Sequence, residues 1–158
     1  METAPARLRR LPSWLMSQAA VPASRLVTER LAAADARRYH YSLLAALDEF
    51  GPASQAALGR RCGLDRSDVV AMVNELVDRE LIERTPDPAD RRRNIITITP
   101  AGVRHLRRLD KLLAQIQDEL LAPLSANERD QLVRLLTQLV DHHHPFKGRS
   151  RESCGPDL

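Results

Sequence analysis

The stretch Asp87-Pro88-Ala89-Asp90-Arg91-Arg92-Arg93 lies between two short runs, Leu81-Ile82-Glu83-Arg84-Thr85 and Asn94-Ile95-Ile96-Thr97-Ile98-Thr99. Ile and Thr dominate the second run and suit a pleated strand, while Pro and Asp fill the connector. The pattern therefore predicts a hairpin with a charged tip. From Arg84 to Arg93 four arginines stand against two aspartates. Taken alone, the loop is either a solvated turn or a projection that meets something negative.

The residues before it bear on that choice. Two short helical patterns flank Cys62-Gly63-Leu64-Asp65, the layout of a helix-turn-helix, where a glycine-containing turn joins two helices. Helix, turn, helix and basic hairpin predict a mainly α fold: a winged helix-turn-helix with a two-stranded β-wing and a helical dimerisation body. At 158 residues, with 43% hydrophobic and 28% charged side chains, the chain has one domain's length and can build a core. Aromatics supply only 3% of residues, so burial rests on Leu, Val, Ala and Ile, which favours helix-on-helix packing. The formal net charge of +3 and pI near 9.3 are compatible with a polyanionic partner without establishing one. No apolar run reaches the roughly 18 residues that span a bilayer, and the N-terminus has no apolar signal core, so the expectation is a cytoplasmic protein without a membrane partner. Cys62 and Cys154 lack metal-type or Cys-x-x-Cys neighbours, and a disulfide framework is not expected.

In chain order, residues 1–11 form an arm that is either disordered or packed on a partner. Pro12 opens a helix with apolar positions at Leu15, Ala19, Ala23, Leu26 and Leu31; Pro22 should kink or split it, because proline removes a backbone donor. A second helix from Ala36 to Phe50 puts His40, Leu43, Leu44, Leu47 and Phe50 on one side, so that 12–50 holds the first two helices, as dimer body and link. Region 51–100 is the winged helix-turn-helix. Ser54 caps a helix over Gln55 to Cys62, Gly63 stops it, and Asp65 caps the next, with Asp68 as a capping-box-like acid. At 100° per residue, the helix from Arg66 to about Glu80 places Val69, Met72, Val73 and Leu76 on one side. Ser67, Ala71, Asn74 and Asp78 lie opposite, with Arg66 and Val70 flanking them. This small, polar stripe can sit deep in a major groove about 12 Å wide, with Arg66, Ser67 and Asn74 facing bases or phosphates. Ser54 and Gln55, opening the first helix of the pair, are further candidate DNA contacts.

Thr99-Pro100-Ala101-Gly102 reads as a cap and helix start, followed by Leu106, Leu109, Leu113, Ile116 and Leu120 at near coiled-coil spacing. Ser125-Ala126-Asn127-Glu128 is a capping box opening a last helix with Leu132, Leu135, Leu136, Leu139 and Val140 on its apolar side. The helices of 101–141 carry more apolar surface than one small winged domain can cover, and a second copy is expected to pair with them. The tail 142–158 has no period and is expected to be disordered. The consecutive His142, His143 and His144 point in different directions and make a poor metal site. No metal, cofactor or nucleophile–base constellation is expected, and hence no enzyme.

The order of elements, with Asp87-Pro88-Ala89-Asp90-Arg91-Arg92-Arg93 followed by Ile98-Thr99-Pro100-Ala101-Gly102, resembles the multiple antibiotic resistance regulator (MarR) family of bacterial transcription factors, from about Pro12 to His142. The resemblance implies a homodimer on double-stranded DNA, one winged domain per half of a pseudo-palindromic operator, acting as a repressor. It also implies that Asp90 pairs with Arg92, which enters the minor groove, with Arg91 and Arg93 on phosphates. The recognition helix departs from the family pattern in carrying Val70 and Ala71 at its middle and Asp68 in place of a common Thr, so base reading there leans on Arg66, Ser67 and Asn74 or on DNA shape. The family's release by small phenolic or aromatic carboxylate effectors suggests a pocket from Trp14, Tyr39, His40 and Tyr41, with Arg25 and Arg30 as carboxylate partners; packing at the hinge is the equal alternative. Cys62 is either a thiol sensor or a buried core thiol. Two other functions stay open: a winged-helix protein-interaction module without specific DNA binding, and a small enzyme using His40, Tyr39 or Cys62.

Overall fold

The computed structural model describes residues 4–143. The chain divides into two units, Met1–Leu120 and Leu121–Leu158. In the first, a 3-10 turn at Leu8–Arg10 leads into α1 (Pro12–Ala33), α2 (Arg38–Phe50), β1 (Ala53–Ser54), α3 (Gln55–Cys62), α4 (Arg66–Asp78), β2 (Ile82–Pro86), β3 (Asn94–Ile98) and α5 (Pro100–Leu120). The second holds α6 (Ala126–His143).

Local chemistry sets most of these boundaries. The Ser54 hydroxyl accepts from Ala57 N–H at 3.2 Å and opens α3. Gly63 closes it in the left-handed region at φ 65°, where a residue without Cβ carries no penalty. The Asp65 carboxylate takes the Asp68 N–H at 2.8 Å at the start of α4. At α6 the capping box closes in both directions: Ser125 N–H donates to Glu128 Oε2 at 2.8 Å, and Glu128 N–H donates to the Ser125 hydroxyl at 3.3 Å.

The core of the first unit follows the expected periodicity. Leu43, Leu44 and Leu47 of α2, Leu58 of α3, and Val69, Met72, Val73 and Leu76 of α4 pack with Ile82, Ile96 and Leu106. A smaller cluster joins Leu31, Ala36 and Leu109, where α1 packs on α5. Tyr41 touches both clusters.

Several expectations need correction. The expected two-stranded wing is present as β2 and β3, paired antiparallel, but the sheet gains a third strand that was not expected, in the order β1-β3-β2, with β1 pairing to β3 through Ala53↔Ile96 and Ser54↔Ile95. A two-residue strand shows no alternation, so no pattern announced it. Pro22 does not split α1, which runs unbroken through it. The arm is not structureless: within residues 4–11, Leu8–Arg10 form the 3-10 turn, which packs on α1. Phe50, placed on the inner face of α2, is 58% exposed, and the Arg61 guanidinium stacks over its ring at 4.6 Å. The tail begins later than expected, because α6 includes His142 and His143; His144 and the remainder lie outside the described residues.

The junction of wing and body is tight at Gly102. A Cβ built there would stand 2.0 Å from the Leu81 carbonyl oxygen and 2.8 Å from Ile98. The neighbour is backbone and cannot rotate away. Gly102→Ala is expected to destabilise the fold by about 3 kcal/mol or more, measured as a lowered urea midpoint at unchanged slope. Gly63→Ala, where φ is 65° in the left-handed region but nothing lies within 4 Å, should cost about 1 kcal/mol. Equal losses at the two positions would contradict the close approach at Gly102.

Candidate nucleic-acid interface

A groove of about 670 Å³ runs between the opening turns of α3 and α4 and the base of the wing. Its walls include Ser54 at the cap of α3, Gln55 and Arg60 from α3, Asp65 and Arg66 at the start of α4, and Arg92, Arg93 and Asn94 from the wing; Leu64 and Val69 contribute apolar surface. The fold thus gathers into one concavity residues that the sequence separates widely. Ser54, Gln55, Arg66, Arg92 and Arg93 were marked beforehand. Arg60 and Asn94 were missed, although Arg60, in the last turn of α3, is ordinary helix-end chemistry and gave no distinct signal.

The remaining recognition-helix candidates stand where the projection put them. Ser67, Ala71, Asn74 and Asp78 are exposed, while Val69, Met72, Val73 and Leu76 are buried. Ser67 is not unengaged, since its hydroxyl donates to Asp65 Oδ1 at 2.8 Å. Asn74 Oδ1 accepts a hydrogen bond from Arg84 of β2.

The two aspartates of the wing organise its backbone. Asp87 Oδ1 accepts from Ala89 N–H at 2.9 Å and Asp90 Oδ1 from Arg92 N–H at 3.1 Å, turns in which a short carboxylate substitutes for a peptide carbonyl. Asp87 N–H donates to the Arg93 carbonyl, and Arg93 N–H to the Asp90 carbonyl, each at 2.9 Å. The Asp90 carboxylate also faces two guanidinium groups, Arg92 Nε at 3.9 Å and Arg93 Nε at 3.7 Å. The side chain of Arg92 is 96% exposed and Arg91 is exposed beside it. The loop is pinned by its own carboxylates, and its cations project into solvent.

The aromatic residues fare differently. A second pocket, about 400 Å³, is lined by Asp35, Ala36, Arg37, His40, Glu75 and Arg79 among others. Of Trp14, Tyr39, His40 and Tyr41, it takes only His40. Tyr39 is 43% exposed, and the Tyr41 hydroxyl donates to Asp110 at 2.9 Å. Trp14, near the start of α1, is half-buried. Successive helical residues diverge by about 100°, so Tyr39, His40 and Tyr41 point three ways. Arg25 pairs with Glu29 at 3.8 Å and Arg30 with Glu119 at 2.6 Å, so both guanidinium groups have acids of their own chain.

What the second pocket does contain is a polar clamp on α4. His40 Nδ1 accepts from Arg37 N–H at 3.2 Å, which leaves the proton on Nε2 to donate to Glu75 Oε2 at 2.8 Å. Arg37 reaches Glu75 Oε1 at 3.3 Å, and Arg79 donates to the Asp35 carbonyl at 2.6 Å. Burial pushes His40 below its ordinary value, outweighing the upward pull of Glu75. His105 on α5 is likewise pushed down, first by burial and then by Arg79 and Arg108. Its Nε2 has no partner among the described residues. Burial raises the Cys62 thiol, with Arg61 pulling the other way; that leaves little thiolate for sensing. Among the described residues no group of three or more His, Cys, Asp or Glu is placed to hold a metal ion, and no helix is long and apolar enough to cross a membrane.

A winged helix-turn-helix whose groove carries cations from both the recognition helix and the wing belongs to the class built around nucleic-acid contact. A profile of the MarR family matches residues 36–93. The putative regulatory protein for the hcr operon of Thauera aromatica is 36% identical over 112 residues, covering 71% of this chain and 68% of that protein. The transcriptional repressor NicR of Pseudomonas putida is 35% identical over 98 residues; the matched region spans 62% of each chain, so slightly less than two thirds of that relative's length is represented. Among solved structures, the repressor CouR bound to a 23-mer DNA duplex superposes with a TM-score of 0.78 at 28% identity, covering 89% of this chain and 99% of that one. PcaV of Streptomyces coelicolor, in complex with its natural ligand, gives a TM-score of 0.70 at 30% identity, over 88% and 98%. The chain belongs to the MarR family.

Both buried histidines titrate in a defined window. Each is neutral in the folded state with its pKa below the ordinary value of 6.5. On acidification the unfolded chain therefore takes up protons first. Stability is fully present above about pH 6.5, falls as the pH drops toward the folded values, and levels off below them. Asp65 and Glu128, held below the usual carboxylate range by backbone N–H bonds, add their loss only at more acid pH. Thermal midpoints should fall between pH 7 and pH 5, and His105→Leu should flatten that fall; an equal slope in the variant would show that His105 does not carry it.

Proposed function

We propose that this chain is a dimeric transcriptional repressor that binds a pseudo-palindromic operator and is released by a small aromatic carboxylate. The observation that supports DNA binding most directly is the single groove presenting Ser54, Gln55, Arg66, Arg92 and Arg93 together. In this reading α4 enters the major groove with its stripe of Ser67, Ala71 and Asn74, and small side chains there permit close approach. The wing lies alongside, with Arg92 in the minor groove, where narrow sequences concentrate negative potential. Arg91 and Arg93 meet phosphates, and Asp90 holds the loop that presents all three. The DNA complex of CouR supports this docking by analogy of fold.

Dimerisation is supported by uncovered apolar side chains. Val133, Leu135, Leu136, Leu139 and Val140 of α6 are 41–60% exposed, and Leu8, Leu11, Leu15 and Met16 near the start of α1 are 37–48% exposed. Exposed apolar side chains recurring along a helix in this way, in each unit taken by itself, are characteristically buried against a partner. Effector release is the finest part of the proposal. It rests on the resemblance and on PcaV having been solved with its natural ligand. An effector of any chemistry has to bind the DNA-free conformation better than the DNA-bound one.

The test is a gel shift on the DNA upstream of the protein's own gene, at about 50 and 200 mM salt, with and without salicylate. Arg92→Ala should weaken binding about tenfold and lower the salt slope by about one counterion. Salicylate should release the wild-type complex. Affinity indifferent to both the substitution and salt would sink the wing assignment. Recovery of a stable protein complex with no genomic DNA retained at low salt would favour the protein-interaction reading instead.

A further inference from the structure

Asn74 stands on the outward stripe of α4, and its carboxamide is not free to turn. Arg84 Nη2, on β2, donates to Asn74 Oδ1 across ten residues of sequence. A guanidinium has donors and no acceptor, so the atom it faces is the amide oxygen, and Nδ2 is directed away. The strand makes this contact possible. Arg84 lies two residues beyond Ile82 and on the same face of β2; Ile82 is buried with Val73 and Leu76 of α4, so Arg84 leans along the same helix where it emerges from the core. Both Asn74 and Arg84 are exposed.

This bond changes what Asn74 can read. An unrestrained asparagine pairs with adenine in two bonds, accepting from N6 through Oδ1 and donating to N7 through Nδ2. Here one of the two Oδ1 lone pairs is taken by the guanidinium, so an incoming adenine amino group has to compete for the other beside a positive charge that repels its hydrogens. Donors remain, from Asn74 Nδ2 and the other guanidinium N–H groups of Arg84. Guanine offers two acceptors, O6 and N7, on its major-groove edge. We propose that Arg84 biases Asn74 toward donating, and that the Arg84–Asn74 pair selects guanine over adenine at the base facing the middle of the recognition helix. The proposal rests on the DNA-binding reading above and assigns Arg84 the part of a positioning residue that determines specificity.

The experiment is selection from a randomised duplex pool with the full-length protein, comparing wild type, Arg84→Met, Arg84→Lys and the double variant Arg84→Met with Asn74→Ala. Methionine keeps the length of the stem and removes every donor; lysine keeps a donor for Oδ1. Wild type should enrich guanine at one position of each half-site. Arg84→Met should shift that position toward adenine by about tenfold in relative enrichment, leaving other positions unchanged. Arg84→Lys should retain guanine, and the double variant should show no preference there. If Arg84→Met weakens binding uniformly while the selected sequence stays the same, Arg84 contacts phosphate and the proposal falls, although the DNA-binding reading stands. If wild type retains no duplex at all, both fall.

Discussion

The Thr99 hydroxyl is the tie on which the geometry of the wing depends. It donates to the Glu80 carbonyl at 2.8 Å and accepts from Gly102 N–H at 3.0 Å, while the Thr99 N–H donates to the Leu81 carbonyl at 3.1 Å. One buried residue thus joins the exit of α4, the start of β2, the end of β3 and the first turn of α5. Glu80 takes a left-handed backbone at φ 58°, a conformation that costs a non-glycine residue about 1 kcal/mol or more. The Thr99 bond to its carbonyl offsets that cost and fixes the direction in which the chain leaves the recognition helix. Because β3 begins and ends between this tie and the arginine loop, the angle of the whole hairpin relative to α4 is set here. A methyl group at Gly102 threatens the same point from the other side.

The recognition helix is held at its far end by different physics. Its C-terminal half is tied by ionic and hydrogen-bonded contacts, His40 and Arg37 to Glu75, and Arg79 to Asp35. Neutral His40 suits both its bonds, one accepted and one donated; protonation would turn the Nδ1 acceptor into a donor facing the Arg37 N–H. Glu75 and Arg79 lie on the flank of α4 turned toward α2 and the end of α1, whereas Ser67, Ala71 and Asn74 lie on the exposed stripe. One helix therefore has a face that is clamped and a face that is open to solvent. A change in the packing of α1 and α2 has a direct mechanical route to the exposed stripe of α4, with no long relay needed.

How much of this was legible in the sequence depends on the range of the interaction. Caps act over three or four residues, so Ser54, Asp65, Thr99 and Ser125 were readable with their partners. Amphipathic periodicity named the buried set of α4 correctly because a helix of 13 residues samples its faces several times. β1 was invisible, since its two residues exist as a strand only through Ile95 and Ile96. The His40–Glu75 bond spans 35 residues and leaves no local trace. Phe50 misled because it ends α2, where an apolar residue in register with the core can overhang it. Trp14, Tyr39, His40 and Tyr41 do not line one pocket within the chain, because closeness in sequence, as in Tyr39-His40-Tyr41, means divergence on a helix.

The candidate interface divides its labour between charge and shape. The wing's aspartates satisfy backbone donors within the loop, and Asp90 touches Arg92 and Arg93 only at long, exposed ion-pair distances, so the guanidinium groups are available to phosphates at little ordering cost beyond their own rotamers. Those contacts supply affinity that carries no sequence information. On α4 the reverse holds: Ser67 is tied to Asp65, Asn74 to Arg84, and Ala71 has no polar atom. Side chains restrained in this way lose little entropy on binding and present a fixed pattern, a donor at Asn74 Nδ2 and acceptor lone pairs at the Ser67 hydroxyl, which is the condition for discriminating between bases. On the DNA-binding reading proposed above, the most charged element of the site is its least selective, and sequence discrimination falls to the nearly neutral stripe of α4.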